Sequence, residues 1–280
     1  MNNEYIEFPS REWLPQHPDK NFFHEYGIIG KHLTHSLSPA LFSQIFKENG
    51  LLRYDYQLFS LESIEQLHIL LKQHPFLDGF NVTSPYKKEI ISHLHALSPE
   101  AEQVGAVNVV KVTRGQSTTF LTGYNTDTSA FAEAFDEVWG HNFSSALIFG
   151  NGGAAAAAAY ALRQWKIPYT ILCRSGKDHA PRDTGMTSLW GISNLSDLIA
   201  NTPLLIHATP VGMFPRIRER LHLPYEAIGQ QHFLMDMIYN PPCTDFLAEG
   251  KKRGARVLNG QRMFELQAKK SWDIWKDDHV

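Results

Sequence analysis

The sequence predicts an α/β protein of two domains, and two observations lead to this prediction. In the first half of the chain, short apolar strands alternate with amphipathic helices, and one hairpin follows them. After Asp127, five short apolar strands are separated by segments of crossover length, which is typical of a parallel sheet covered on both faces. We therefore place one domain at residues 1–127 and the other at 128–260. A last helix, 261–280, is expected to return to the first domain.

Composition excludes several classes of protein. The chain has 280 residues, a hydrophobic fraction of 43% and a net charge of -3, which is typical of a globular protein and not of a disordered one. It has no clustered positive field for a nucleic acid, and its basic run at 251–253 is expected to be an exposed helix end. Two distant cysteines, Cys173 and Cys243, cannot build a disulfide framework. With no secretion signal or membrane span in view, we expect a cytoplasmic protein without membrane or nucleic-acid partners.

The first domain is predicted element by element. Residues 1–25 show no helical or strand period and form an extension of unknown role. The predicted elements then follow in chain order: a strand at Tyr26–Ile29, a helix around 41–46 that stops at Asn49-Gly50, a strand at Tyr54–Leu58, a helix around 64–71, a strand at Gly79–Val82, and a hairpin of Val107–Val112 with Thr118–Leu121.

A helix is predicted to begin at Ser84-Pro85, because a capping oxygen is followed by proline at the first helical position. Lys87 would then lie in the first turn, near the positive end of the helix dipole, with Lys88 adding a like charge. A cation is disfavoured there, so we expect Lys87 to release a proton more readily than an ordinary lysine. The alternative is a solvated surface lysine.

The second domain contains a glycine-rich turn, Gly150–Ala155, between a predicted strand and an alanine-rich helix. The predicted strands are Ala146–Phe149, Tyr169–Cys173, Leu204–Ala208, Phe233–Asp236 and Arg256–Leu258. The turn reads G-x-G-x-x-A, in which Gly150 permits the tight turn, Gly152 admits a pyrophosphate and Ala155 packs on the sheet. This pattern predicts a Rossmann-like dinucleotide-binding domain, the alternative being a tight turn without a ligand.

The end of the next strand indicates which dinucleotide is bound. Sites selecting NAD usually carry an acidic residue there, whereas this chain has Arg174-Ser175, with Lys177 close by. A guanidinium and a hydroxyl can both bind a phosphate, so we predict NADP rather than NAD. An exposed arginine at a strand end is the alternative interpretation.

Polar clusters follow several apolar elements of the first domain. They are His35-Ser36-Leu37-Ser38-Pro39, Asn81-Val82-Thr83, Asn108, and Asn125-Thr126-Asp127. Taken singly, each cluster has a structural interpretation as a helix cap or a turn. Fourteen histidines are present, but His32 with His35 and His93 with His95 lack a third ligand, so we expect no metal site.

Taken together, these clusters make the chain resemble the shikimate dehydrogenase family from Tyr26 to about Trp275. Further matching motifs are Gly105-Ala106-Val107-Asn108, Ala208-Thr209 before Gly212-Met213, Asp236-Met237-Ile238-Tyr239, and Gly260 with Gln267. The resemblance implies NADPH-dependent, reversible reduction of 3-dehydroshikimate to shikimate. It implies a catalytic pair, Lys87 as the acid/base and Asp127 as its partner. The substrate-binding residues would be Ser36, Ser38, Thr83, Lys87, Asn108, Asp127, Tyr239 and Gln267; the cofactor-binding residues would be Gly150, Asn151, Gly152, Gly153, Ala154, Arg174, Ser175, Thr209, Met237 and Gly260.

Some positions depart from the family's pattern, and alternatives stay open. Tyr124 stands where an acid is common, Ala130 replaces a frequent glycine, His207 replaces a usual asparagine, and Gln261-Arg262 follows Gly260 near the expected nicotinamide end. A paralogue preferring quinate or NAD, or a regulator that binds these molecules without catalysis, is the competing interpretation. The partner is expected to be a small-molecule substrate, and the protein a monomer or homodimer.

Overall fold

A computed structural model describes residues 24–34, 36–115, 118–173, 186–188 and 194–276. The chain divides into two compact units. Unit 1 takes the chain up to Thr126 and again from Ala268 onward, and unit 2 comprises Asp127–Gln267. No helix of the described residues is both long and apolar enough to cross a membrane.

Unit 1 is built on a six-stranded mixed sheet with strand order β2-β1-β3-β5-β6-β4. The elements up to the end of this sheet are β1 (His24–Gly30), α1 (Ser38–Glu48), β2 (Tyr54–Ser60), α2 (Leu67–Gln73), β3 (Leu77–Val82), β4 (Ala96–Leu97), α3 (Pro99–Val104), β5 (Val109–Arg114) and β6 (Thr119–Tyr124). Strand β1 pairs in parallel with β2 and β3, while β5 and β6 form the antiparallel hairpin that the sequence predicts. The predicted extension ends two residues early, because His24 and Glu25 already belong to β1.

Two apolar clusters cover opposite faces of this sheet. Residues Tyr26 and Ile28 of β1 belong to one cluster and Ile29 to the other, since successive side chains of a strand point to opposite faces. The first cluster is rich in aromatic rings from α1 and from the C-terminal helix, among them Phe42 and Trp275. The C-terminal helix therefore supplies part of the core of unit 1.

Unit 2 contains a six-stranded sheet whose strands are all parallel, in the order β12-β11-β10-β7-β8-β9. Its elements are α4 (Asp127–Asp136), β7 (Ala146–Phe149), α5 (Gly153–Gln164), β8 (Tyr169–Cys173), β9 (Met186–Ser188), α6 (Leu195–Ala200), β10 (Leu204–His207), β11 (Phe233–Asp236), α7 (Asp245–Lys252), β12 (Arg256–Leu258) and the first half of α8 (Gln261–Lys276). Buried clusters lie on both faces of the sheet, with Ile148 and Ile206 in one and Leu147 and Leu205 in the other. The doubly covered parallel sheet is confirmed.

Candidate active site

The loops after β1 and β3 bring together several of the predicted polar residues of unit 1. Because these strands are parallel neighbours, their carboxyl ends lie at the same edge of the sheet. Thr83 donates its backbone N–H to the carbonyl of Ile29 at 2.9 Å, and Gly30 leaves no room for a Cβ beside the Thr83 methyl. At the start of α1, the Ser38 backbone N–H donates to Ser36 Oγ, in the loop after β1, at 3.3 Å. His35 lies outside the described residues.

The predicted helix at Ser84 is wrong. The Ser84–Pro85 peptide is cis, residues 84–88 form turns, and a short 3-10 helix begins only at Glu89. Tyr86 donates its N–H to the Thr83 carbonyl at 3.0 Å, so the chain closes into a tight turn with proline at its third position instead of starting a helix. The dipole argument for Lys87 therefore has no basis in the structure.

Lys87 nevertheless has a fixed backbone position in unit 1. Its carbonyl accepts a hydrogen bond from the Val107 N–H at 2.7 Å, next to Asn108, and the residue is half-buried. Burial lowers the pKa of the neighbouring lysine, Lys88. Lys88 is therefore a second candidate for a proton-transferring amine beside Lys87.

Asn108 is 2% exposed and clamps the chain just before Asp127. Its Nδ2 donates to Thr126 Oγ1 at 2.9 Å, and its Oδ1 accepts from the Thr126 backbone N–H at 2.7 Å. Asn125 adds a second tie, from its Nδ2 to the carbonyl of Ala106 at 2.8 Å. The amide of Asn108 is thus occupied in holding the segment that leads to Asp127, the first residue of α4.

The glycine-rich turn of unit 2 has the geometry that its sequence predicts. Gly150 has a φ of +117°, and a Cβ there would lie 2.7 Å from the carbonyl oxygen of Ala208. Gly152 is the N-cap residue before α5, the helix has no side-chain cap, and a Cβ on Gly152 would meet nothing within 4 Å. Ala155 is 1% exposed, as close packing of helix and sheet requires. The first N–H groups of α5 have no intrahelical acceptor, so this turn fits a pyrophosphate.

A second group of predicted residues meets where β11 ends and α8 begins. The Gly260 N–H donates to the Ile238 carbonyl at 3.0 Å, and a Cβ on Gly260 would lie 2.3 Å from the carbonyl oxygen of Met237. The ring of Tyr239 stacks on Phe264 with centroids 4.1 Å apart. Gln267 donates from Nε2 to the Phe264 carbonyl at 3.0 Å. Met237, Tyr239, Gly260 and Gln267 are therefore neighbours in unit 2.

Known proteins resemble this chain over almost its whole length. The family model for the shikimate dehydrogenase substrate binding domain matches residues 28–110. The shikimate dehydrogenase (NADP(+)) of Chlorobaculum tepidum is 34% identical, and that of Dehalococcoides mccartyi is 33% identical; each match covers 89% of this chain and 89% of the relative. This chain belongs to the shikimate dehydrogenase family.

Solved structures of shikimate dehydrogenases also match the fold. The enzyme from Aquifex aeolicus superposes with a TM-score of 0.80 at 28% identity, covering 92% of this chain and 94% of that one. The Thermus thermophilus enzyme in complex with NADP(H) and shikimate gives a TM-score of 0.76 at 29% identity, covering 90% of this chain and 93% of that one. A quinate dehydrogenase from Corynebacterium glutamicum in complex with NAD matches at 25% identity with a TM-score of 0.75, over 90% and 93% of the two chains.

The departures from the shikimate dehydrogenase pattern now have structural settings. Arg262 forms a paired hydrogen bond with the carboxylate of Glu137, the residue after α4, from Nη2 at 2.6 Å and Nε at 2.8 Å. This pairing lowers the pKa of Glu137 and raises that of Arg262. Ala130 is fully buried in the core of unit 2, while Tyr124 is half-buried in β6. The guanidinium of Arg262 is therefore held by the residue that follows α4, on the surface of unit 2.

Two groups of predicted residues remain to be placed. Arg174, Ser175 and Lys177, on which the preference for NADP was predicted, lie outside the described residues, as does the segment 1–23. No three metal-ligating side chains of the described residues come close enough to hold a metal ion.

Sequence reasoning missed the buried polar partners that hold these loops in place. Asn81 receives a hydrogen bond from Tyr56 Oη at 2.7 Å and donates to Ser271 Oγ at 3.0 Å. His207 contacts Thr209 and Asp236, and Asp236 accepts a hydrogen bond from Thr244. Asn81, Thr209 and Asp236 stand in the matching motifs, and His207 replaces the family's asparagine, but Tyr56, Ser271 and Thr244 gave no signal in the sequence.

Proposed function

We propose that this protein catalyses the NADP-linked interconversion of 3-dehydroshikimate and shikimate. Unit 2 would bind the dinucleotide, and unit 1 would supply most of the residues that bind the cyclic acid. The observation that carries the proposal is the open glycine turn at the start of α5, in a chain that belongs to the shikimate dehydrogenase family. A binding protein without catalysis is disfavoured because both Lys87 and Asp127 are present.

The substrate side of the proposal follows from the chemistry of the side chains. Ser36, Ser38 and Thr83 carry hydroxyl groups, each of which donates or accepts as a ligand requires. Their loops follow the neighbouring strands β1 and β3, at the edge where parallel strands end. Such groups suit the carboxylate and ring hydroxyls of a small polyhydroxylated acid. Tyr239 and Gln267 are proposed to complete this set, and Asn108 to support it through Thr126.

The proton step is assigned to Lys87. The nicotinamide supplies the hydride when it is bound. Hydride addition to the ketone carbon would leave an alkoxide on its oxygen, and the Lys87 ammonium would donate the proton that this oxygen needs. In the reverse direction the neutral amine would take the proton from the alcohol. Asp127 is proposed as the partner of this amine, the second member of the catalytic pair.

A steady-state assay of the full chain tests the function. We expect turnover with shikimate and NADP, measured by the absorbance of the reduced nicotinamide, and little turnover when quinate or NAD replaces either partner. Equal or greater efficiency with quinate and NAD would identify the other branch of the family. If calorimetry shows that NADP binds but no pair is turned over, the protein binds the dinucleotide without catalysis.

Replacing Lys87 by alanine tests its catalytic role. We expect kcat to fall about 10²–10⁴-fold, the usual contribution of a positioned acid/base, with substrate binding weakened much less. Lys88→Ala is the matched control, since Lys88 is the adjacent lysine and the one whose pKa burial lowers. A large loss of kcat in Lys88→Ala with little change in Lys87→Ala would transfer the role to Lys88.

Replacing Ser36 by alanine tests ground-state binding of the substrate. We expect KM for shikimate to rise about tenfold, the order of one lost hydrogen bond to a charged group, while kcat changes little. The same substitution removes the acceptor of the Ser38 N–H, so a thermal midpoint is measured beside the kinetics. A loss confined to kcat would show that the hydroxyl does not bind the ground state.

We also propose that the enzyme works in the cytoplasm, as a monomer or homodimer. Neither cysteine forms a disulfide within the described part of the chain, and Cys243 is exposed, which fits a reducing compartment. Size-exclusion chromatography with light scattering decides the oligomeric state.

A further inference from the structure

His207 lies at the junction of three strand ends in unit 2. It is the last residue of β10, and the parallel register places it opposite Phe149 at the end of β7 and Asp236 at the end of β11. The residues that follow these strands are the glycine turn, Thr209 and Met237, all proposed to border the cofactor. His207 itself is 1% exposed, so its imidazole acts from beneath these loops and does not reach solvent.

One side of the imidazole holds the loop after β10. His207 Nε2 lies 2.6 Å from Thr209 Oγ1, and the same oxygen accepts the backbone N–H of Val211 at 3.2 Å. The Thr209 hydroxyl therefore joins the buried ring to the backbone of the loop. Thr209 also packs its methyl group against Gly150, where a Cβ would meet Thr209 Cγ2 at 3.0 Å. A shift of Thr209 would therefore disturb the glycine turn as well.

The other side of the imidazole faces a buried carboxylate. His207 Nδ1 lies 3.1 Å from Asp236 Oδ2 and makes no hydrogen bond within the described part of the chain, so the contact is electrostatic. Asp236 is fully buried; its Oδ1 accepts the Ile238 N–H at 2.9 Å, and its Oδ2 accepts the hydroxyl of Thr244. A carboxylate in this place favours a hydrogen on Nδ1, because a bare Nδ1 would present a lone pair to it.

The tautomer decides what the threonine does. With the hydrogen on Nδ1, Nε2 is an acceptor, and the Thr209 hydroxyl donates its hydrogen inward to the ring. The Thr209 hydroxyl then donates its only hydrogen to the His207 ring and does not donate to a ligand. A side chain as short as asparagine would place its amide near the Nδ1 position only. Glutamine would place its amide near the Nε2 position and could still reach Thr209.

We propose that His207 is a positioning residue for the cofactor. By holding Thr209 from beneath, it fixes the loop 208–213 in the conformation that accepts the dinucleotide, and Asp236 orients the ring for this contact. The inference rests on the proposed function in one respect, namely that the loop borders the dinucleotide. Because the imidazole is buried and makes its contact inside unit 2, its role is indirect.

Four variants test the contact between His207 Nε2 and Thr209 apart from the contact at Nδ1. They are His207→Asn, His207→Gln, Thr209→Val and the double variant His207→Asn/Thr209→Val. The primary measurement is the Kd for NADP by calorimetry on the full chain without substrate. We expect His207→Asn and Thr209→Val each to weaken NADP binding about tenfold, and the double variant to be no weaker than either, because both changes break one contact. His207→Gln should recover most of the affinity. In the kinetics, KM for NADP should rise in His207→Asn while kcat at saturation changes less than twofold.

A second measurement needs no cofactor. Nitrogen-15 NMR of the histidine rings in the wild type, assigned by the absence of one spin system in His207→Gln, should show a protonated Nδ1 and a bare Nε2 for His207. Losses that multiply in the double variant, unchanged affinity in both single variants, or an Nε2–H tautomer would overturn the proposal. If His207→Asn fails to fold, Thr209→Val and His207→Gln decide the same question. A wild type that does not bind NADP would refute the proposed function instead, while the NMR result still tests the His207–Thr209 contact.

Discussion

Tyr225 buries a phenol hydroxyl that finds no hydrogen-bond partner in the described part of the chain. The residue is 4% exposed, and burial raises the pKa of its hydroxyl to about 12, although the Arg220 guanidinium over its ring opposes the shift. A buried hydroxyl without a partner costs about 1–3 kcal/mol of stability. The fold tolerates this cost because the ring fills the apolar cluster between α6, α7 and the sheet.

Tyr225→Phe should therefore stabilise the protein by about 1 kcal/mol at pH 7, as measured by denaturant unfolding. The pH dependence has a definite sign. The folded state holds the phenol proton up to about pH 12 and the unfolded state only to about pH 10. The wild type should thus lose stability relative to Tyr225→Phe as pH rises from 10 towards 12, with no difference in slope below pH 10. Parallel curves across that window would contradict the burial of the hydroxyl.

At the level of single residues, the sequence identified candidates but not their partners. Lys87 stands out in the sequence through a helix start that does not exist, since the chain turns tightly after Thr83. Asn108 is identified by a motif, yet the structure gives its amide to Thr126, a contact between residues 18 positions apart. Local pattern cannot reveal such pairs, because the partner is chosen by the fold.

Among the elements, the glycine turn is the one whose position and proposed binding role the sequence predicts most directly. Local backbone requirements are encoded locally, so a strand, two glycines and a run of small residues suffice. The short strands of unit 2 are equally easy to predict from the sequence, since a buried parallel strand needs four or five apolar residues in a row. Three short elements were not predicted, because no hydrophobic periodicity marks them in the sequence: the strands β4 and β9 and the helix α3.

Two alanine substitutions in the glycine turn should have opposite signatures. Gly150→Ala forces a side chain onto a φ of +117° and brings its Cβ within 2.7 Å of a backbone oxygen, so we expect a loss of several kcal/mol or a failure to fold. Gly152→Ala meets no atom and has a φ of -77°, so thermal stability should stay near that of the wild type. Its methyl group would instead stand where the pyrophosphate approaches, and Kd for NADP should rise tenfold or more.

The matched pair makes the result decisive. Equal destabilisation by both substitutions would mean that the turn is only structural. Unchanged NADP affinity in a stable Gly152→Ala would remove the pyrophosphate from this turn, and with it the main support for the cofactor assignment.

At the scale of the whole molecule, the C-terminal helix α8 contributes residues to both units. Helix α8 begins in unit 2 and, from Ala268, belongs to unit 1, so unit 1 is made from two distant stretches of the chain. Trp275 is 1% exposed, lies against Gly79 of β3, and donates its indole N–H to the Val110 carbonyl at 3.0 Å. The second half of α8 thus completes the core of unit 1, which the first half of the chain begins.

Trp275→Ala should cost about 3–5 kcal/mol of unfolding free energy, the range for removing a buried tryptophan. Denaturant unfolding followed by far-ultraviolet circular dichroism measures it. Trp275→Phe is the milder control, since it keeps most of the packing and loses only the indole hydrogen bond, about 1 kcal/mol. If Trp275→Ala unfolds at the wild-type midpoint, the helix does not support unit 1.

The sequence alone determined the alternation of strands and helices, the parallel sheet after Asp127 and the glycine turn, because hydrophobic period and backbone conformation depend on neighbouring residues. Tertiary structure alone decided which buried polar groups meet. Asn81 pairs with Ser271 across 190 positions, and His207 faces Asp236 only because β10 and β11 lie side by side in register. A buried polar group without a partner within about 3 Å costs stability, and only the folded chain brings that partner near.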